Sequence, residues 1–165
     1  SLPNAVHQME GIKDALSEIY PEHAEEFSSN FEKERDAFLA LHERALEAFE
    51  EVKRKDFIVG HESFGYLAKD YGLTQHGIEG ASSLGEPDPK RMAELVELAK
   101  ETGLTTIFYD PLGSDKIAQT IASEIGGEAK ELNPLEGRTQ EEIDANLDYL
   151  AIMQKNINAL SEALE

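Results

Sequence analysis

After residue 56 the sequence alternates short apolar stretches with amphipathic segments, and no other feature restricts the fold as strongly. The apolar stretches predict four β-strands, at residues 57–60, 75–79, 105–109 and 128–132. The second of these is the weakest prediction, because Gly77 interrupts it. Strands that alternate with helices form right-handed βαβ units. We therefore expect an α/β fold in which helices flank a four-stranded parallel sheet.

The helices of this part are predicted from apolar spacing and from start and stop signals. They are residues 62–71, a helix capped by Asp88 with Pro89 at its first position, a helix capped by Ser114, and a last helix that starts with a capping box of Thr139 and Glu142. The last helix is predicted as one continuous element to the C-terminus. Its apolar residues are expected to face the core: Ile143, Leu147, Leu150, Ile157, Leu160 and Leu164.

The first 54 residues have a different character. Residues 4–20 predict one amphipathic helix, which Pro21 ends, and residues 22–54 contain neither Gly nor Pro. A helix of some thirty residues in this range would be roughly 45 Å long, which exceeds the width of a domain of this size. It fits one arm of a helical hairpin or coiled coil, or a strut between two domains. We therefore divide the chain at residues 1–54 and 55–165.

Charge and composition exclude several classes of function. The net charge is −19, from 34 acidic and 15 basic residues, which argues against binding nucleic acid or an anionic membrane surface. Such a surface is compatible with attracting cations or simply with solubility. The absence of cysteine excludes disulfides, thiolate metal sites and cysteine nucleophiles. No apolar run is long enough to span a membrane, and the start at Ser1, without Met, indicates a processed or excised segment.

Three polar residues follow predicted strands where ligands bind in parallel sheets: His61, Asp110 and Glu136. Imidazole and carboxylate groups are suitable ligands for zinc or manganese. Each residue also has a simpler interpretation, since His61 fits a loop or capping residue, Asp110 a turn before Pro111 and Gly113, and Glu136 a solvated carboxylate. The sequence has no HExxH, GxGxxG, Walker or GxSxG motif.

Four separated stretches resemble the zinc- and manganese-binding receptors of bacterial ABC importers, particularly the zinc receptors of Gram-positive bacteria. Residues 61–73 (HESFGYLAKDYGL) are similar to the segment that opens the C-terminal lobe of that family. The other three stretches follow in the family's order: residues 85–89 (GEPDP), residues 132–137 (LNPLEG) and residues 148–156 (DYLAIMQKN). The resemblance covers essentially the whole chain.

The resemblance implies a metal site between two lobes that a long helix connects, and residues 22–54 correspond to that inter-lobe helix. In zinc receptors of this family the metal has three histidines and one carboxylate as ligands. The third histidine corresponds to His61 and the carboxylate to Glu136, which favours Zn²⁺ over Mn²⁺. Asp110 corresponds to a position that is often acidic but is not normally a ligand.

The first two histidines of the family and its His-rich loop have no counterpart here, so the resemblance implies a C-terminal lobe fragment that carries half of the metal site. The implied function is high-affinity zinc capture and delivery to a membrane ABC permease, with no reaction catalysed. The implied location is extracytoplasmic, lipid-anchored at a Gram-positive surface or periplasmic. Expected partners are the permease, the missing N-terminal lobe and, for the fragment, a homodimer or helix-swapped assembly.

Three alternatives remain at this point. The first is a flavodoxin-like enzyme or signalling domain that uses Asp110 and Glu136 around a metal. The second is an adhesive surface module, for which His61 would be dispensable, and the third is a receptor for manganese instead of zinc.

Overall fold

The structure is a computed structural model that describes residues 1–79 and 88–165. The stretch at residues 85–87, part of the GEPDP similarity, lies outside the described residues. The chain forms two compact units, Ser1–Glu47 and Ala48–Glu165. None of the helices in the described residues combines the length and the apolar character that a bilayer crossing needs.

The N-terminal unit is built from helices. Helix α1 spans Leu2–Ile19 and begins at Ser1, whose hydroxyl accepts a hydrogen bond from the Asn4 N–H at 3.2 Å. A short 3₁₀ turn over Pro21–His23 separates it from helix α2, Ala24–Glu50. The break at Pro21 is therefore confirmed.

Helix α2 is shorter than the predicted range of 22–54. Its 27 residues extend roughly 40 Å. The chain leaves the helix after Glu50, and the N–H groups of Lys53 and Arg54 both donate to the carbonyl of Leu164, at 3.1 and 3.0 Å. These hydrogen bonds to the C-terminus replace the ones that a continuing helix would make. Local spacing cannot reveal such a competition, because the acceptor lies far along the chain.

The second unit contains a four-stranded parallel sheet, as predicted. Its strands are β1 (Asp56–His61), β2 (Thr74–Glu79), β3 (Thr106–Tyr109) and β4 (Glu128–Glu131), in the order β2-β1-β3-β4. Phe57, Ile58 and Val59 on β1 are at most 2% exposed. β1 therefore lies inside the sheet with apolar contacts on both faces, which explains its continuous apolar sequence.

Gly77 does not interrupt β2. A Cβ atom at this position would lie 2.3 Å from the Glu79 carbonyl oxygen and 2.5 Å from the Glu62 side chain. The glycine is required by this close approach, and the strand runs through it.

Helices complete the second unit. They are α3 (Gly65–Asp70), α4 (Pro89–Thr102), α5 (Lys116–Ile125), α6 (Gln140–Asp144) and α7 (Tyr149–Leu164). Asp88 caps α4 as predicted, and its carboxylate accepts from the Lys90 N–H at 3.0 Å. At α5 the capping position is Asp115, while the Ser114 hydroxyl accepts from the Lys116 N–H at 3.4 Å.

The single C-terminal helix of the prediction is wrong, because the structure has two helices there. The predicted capping box of Thr139 and Glu142 is present, but α6 ends at Asp144. Asn146 has a φ of 51°, a left-handed conformation that stops a helix, and Asp148 then caps α7. Ile143 on α6 is 46% exposed, so its predicted place in the core is also wrong.

Candidate metal site

The carboxyl ends of the strands border one open cavity of about 340 Å³. His61 is the last residue of β1, and its register partner on β2 is Glu79. Asp110 follows β3, and Glu136 lies in the loop after β4. The side chains of these residues all line the cavity. The parallel sheet thus brings the predicted polar residues to one edge.

His61 and Glu136 lie together although they are 75 positions apart in the sequence. The His61 Nε2 atom is 3.3 Å from the Glu136 Oε1 atom. The imidazole is largely enclosed, with 16% of its side chain exposed, whereas the carboxylate is 65% exposed. A largely enclosed imidazole and an accessible carboxylate therefore border the same opening.

The distance between these two atoms has a direct chemical meaning. A tetrahedral zinc ion with ligands at roughly 2.0–2.2 Å keeps its ligand atoms about 3.4 Å apart. The 3.3 Å separation of Nε2 and Oε1 is close to that value. The pair has the spacing of two neighbouring ligands of one ion.

Asp110 serves the turn after β3. Its Oδ1 atom accepts from the Leu112 N–H at 2.9 Å, and its carbonyl accepts from the Gly113 N–H at 2.9 Å. The first bond is that of an Asx turn and the second that of a β-turn, so Asp110 has the turn role that was the simpler of its two interpretations. The carboxylate still lines the cavity and adds to its negative charge.

A complete metal site is not present in the part of the chain that is described. Within residues 1–79 and 88–165, no group of three or more His, Cys, Asp or Glu side chains is arranged to hold an ion. The Nε2 atom of His61 and the Oε1 atom of Glu136 are two potential ligand atoms, half of the number that a tetrahedral shell requires.

The loop that carries Glu136 is fixed by buried polar residues that the sequence interpretation missed. Asn133, Glu142 and Asn156 are 4%, 7% and 3% exposed. For Glu142 the sequence predicted only a role in the capping box. A signal for Asn156 did exist, because it interrupts the buried stripe of α7 between Met153 and Ile157.

Comparisons with known proteins agree with this architecture. The sequence matches the family described as zinc-uptake complex component A, periplasmic (ZnuA), over residues 1–163. The zinc-binding protein AdcA of Streptococcus pyogenes serotype M6 is 40% identical over 152 residues, which cover 92% of this chain and 30% of that protein. The high-affinity zinc uptake system protein ZnuA of Bacillus subtilis is 44% identical over 113 residues, which cover 68% of this chain and 35% of that protein.

A solved structure also matches. The Zn(II)-bound ZnuA-like domain of Streptococcus pneumoniae AdcA has a TM-score of 0.84 and 34% identity, and the match covers 99% of this chain and 61% of that one. The chain spans about 30% of the length of the AdcA relative.

The resemblance inferred from the four sequence stretches is confirmed by these matches. The family is described as a component of zinc-uptake complexes, so the flavodoxin-like enzyme or signalling domain among the alternatives is set aside. Because the family match extends over residues 1–163, the chain belongs to the ZnuA family of periplasmic zinc-uptake components.

Proposed function

We propose that this chain is the C-terminal lobe of an extracytoplasmic zinc receptor that captures Zn²⁺ and delivers it to a membrane ABC permease. Zn²⁺ is the cargo, and His61 and Glu136 are two of its ligands. The observation that carries this proposal is the 3.3 Å separation of Nε2 and Oε1, which suits one tetrahedral ion. The zinc-binding names of the relatives favour zinc over manganese.

The remaining ligands belong to the N-terminal lobe of the same receptor. We assign residues 1–54 to a first helix and the inter-lobe connecting helix, and residues 55–165 to the C-terminal lobe. Two protein ligands leave half of a tetrahedral shell to water, so this chain alone binds Zn²⁺ weakly. The full shell forms only when both lobes enclose the ion.

The negative charge of the cavity assists capture. Glu79 and Asp110 line the same opening as the two proposed ligands, in a chain with net charge −19. Such a field raises the local concentration of divalent cations without coordinating them. Its effect weakens as salt increases, because exposed charges are screened within about 8 Å at physiological ionic strength.

Zinc titration of the chain tests the ligand assignment. We expect weak binding by the unaltered chain and a loss of at least about tenfold in affinity for His61→Ala. The matched control is His76→Ala, because His76 also contacts a carboxylate, that of Asp56 at 2.7 Å, but lies outside the cavity lining. Equal losses in the two variants would contradict the ligand assignment. Tight stoichiometric binding by the chain would contradict the proposal that it supplies only two of the four ligands. An adhesive module predicts that His61 is dispensable for zinc binding.

The N-terminal unit supplies a surface for the missing lobe. Residues of α1 and α2 line an apolar groove of about 220 Å³: Met9, Ile12, Leu16, Phe27 and Phe31 among them. Ile12 is 59% exposed and Ile19 is 65% exposed. The matched ZnuA-like domain is longer than this chain, which covers 61% of it, so we assign the groove to the N-terminal lobe.

Without that lobe, the groove favours association of two copies, as a homodimer or by exchange of helices. Light scattering over a concentration series tests this expectation. The chain should dimerise as concentration rises, and Ile12→Glu should keep it monomeric. A strictly monomeric chain at high concentration would contradict it.

A further inference from the structure

One buried amide holds the backbone on both sides of Glu136. The Oδ1 atom of Asn133 accepts a hydrogen bond from the Leu135 N–H at 2.8 Å. Its Nδ2 atom donates to the carbonyl of Gly137 at 3.3 Å. The residues immediately before and after the carboxylate are therefore bound to the same side chain.

Asn133 is itself held by two helices. Asn156 on α7 accepts from the Asn133 N–H at 3.0 Å and donates to the Asn133 carbonyl at 2.7 Å. Glu142 on α6 accepts from Asn133 Nδ2 with both carboxylate oxygens, each at 3.1 Å, and from the Thr139 N–H at 2.8 Å. The network ties the Glu136 loop to α6 and α7.

The backbone before Glu136 needs this support. Leu135 has a φ of 66°, a left-handed conformation that is unfavourable for a residue with a bulky side chain. Such a conformation persists only where the surroundings hold it. The hydrogen bond from the Leu135 N–H to Asn133 does so. Its loss would let Leu135 relax and would change the direction of the following side chain.

We propose that Asn133 is a positioning residue of the zinc site, which holds Glu136 at ligand distance from His61. This inference rests on the proposed function. Asn133 does not touch the ion, because its amide oxygen and nitrogen are already engaged by Leu135, Gly137 and Glu142. It acts by removing the freedom of a loop whose carboxylate is otherwise exposed, so that less ordering is needed on binding.

Zinc titration of the whole chain, with ZnCl₂ as the probe, tests the inference through Asn133→Ala. We expect an affinity about tenfold weaker than that of the unaltered chain. Thr139→Ala is the matched control, because it removes the hydroxyl that caps α6 but leaves every bond of Asn133 in place. It should lower the melting temperature without changing zinc affinity. Equal affinity losses in both variants would overturn the inference.

A double-mutant cycle separates positioning from general destabilisation. If Asn133 acts through Glu136, adding Asn133→Ala to Glu136→Gln causes little further loss of affinity. Independent losses that multiply would overturn the inference. An unchanged affinity for Glu136→Gln alone would instead overturn the proposed function, and this inference with it.

A milder variant serves if Asn133→Ala fails to fold by circular dichroism. Glu142→Gln keeps the bonds of Asn133 to Leu135 and Gly137 but sets an amide nitrogen against Asn133 Nδ2. We expect a loss of zinc affinity of a few fold, again absent in Thr139→Ala. An affinity equal to that of the unaltered chain would count against the role of the network.

Discussion

Within the described residues of the second unit, 48–79 and 88–165, two histidines contact a carboxylate, and the two contacts differ in length, exposure and surroundings. His76 Nε2 and Asp56 Oδ1 are 2.7 Å apart, whereas His61 Nε2 and Glu136 Oε1 are 3.3 Å apart. The carboxylate side chain is 34% exposed in the first pair and 65% exposed in the second. Only the second pair lines the cavity at the carboxyl ends of the strands.

The difference comes from where each carboxylate is attached. Asp56 and His76 lie on neighbouring strands whose register is fixed by the sheet. Their short contact is a hydrogen bond that lies outside the cavity lining. Glu136 comes from a loop, meets an imidazole at a strand end, and leaves open volume beside the contact. A histidine close to a carboxylate is thus not enough to indicate a metal site. The open volume beside His61 and Glu136 and their longer separation are the observations that support the proposed ligand role.

The largest expected effect that separates the two pairs is stabilisation by zinc. Binding to the folded chain alone adds about 2.7 kcal/mol to the free energy of unfolding when free Zn²⁺ is 100 times the dissociation constant. Urea unfolding with and without ZnCl₂ measures it, and a chelator should reverse it. The double variant His61→Ala/Glu136→Gln should lose the effect, while Asp56→Asn should keep it. The same stabilisation in all these proteins would mean that zinc binds elsewhere.

The next effect concerns affinity and compares the two carboxylates. Glu136→Gln should weaken zinc binding by about tenfold, or about 1.4 kcal/mol, because a neutral amide is a poorer ligand for a dication. Asp56→Asn should leave the affinity unchanged. Competition with a chromophoric chelator measures both dissociation constants. A comparable loss of zinc affinity for Asp56→Asn would show that the His61–Glu136 contact does not differ from the His76–Asp56 contact in zinc binding.

The sequence was sufficient to predict the sheet and the position of His61 on it. The apolar run before Gly60 predicted a buried strand, and alternation with helices predicted parallel neighbours whose carboxyl ends share one edge. The residues alone gave only a weak prediction that His61 and Glu136 lie together, since 75 positions of sequence separate them. The family resemblance connected the two residues.

The features that sequence analysis missed depend on contacts between distant segments. Helix α2 ends early because the carbonyl of Leu164 accepts from Lys53 and Arg54. The roles of Asn133 and Asn156 depend on a loop and a helix that meet only in the folded chain. Helical spacing and capping rules describe neighbours in sequence, so they cannot identify such partners.

The smallest expected effect is on stability without metal, and here the substitution of Asp56 should matter more than that of Glu136. Asp56→Asn should lower the free energy of unfolding by about 0.5–1 kcal/mol, because it removes the charge from a close, half-buried hydrogen bond. Glu136→Gln should change stability by less than about 0.3 kcal/mol, since a contact made by a carboxylate that is 65% exposed contributes little. It also removes one negative charge from a chain of net charge −19, which offsets any loss by reducing self-repulsion. Urea unfolding of the two variants without metal gives both values. A larger loss of stability for Glu136→Gln than for Asp56→Asn would show that the contact of Glu136 with His61 serves to stabilise the fold. The expected order instead separates a residue that supports the fold from one that is available to bind an ion.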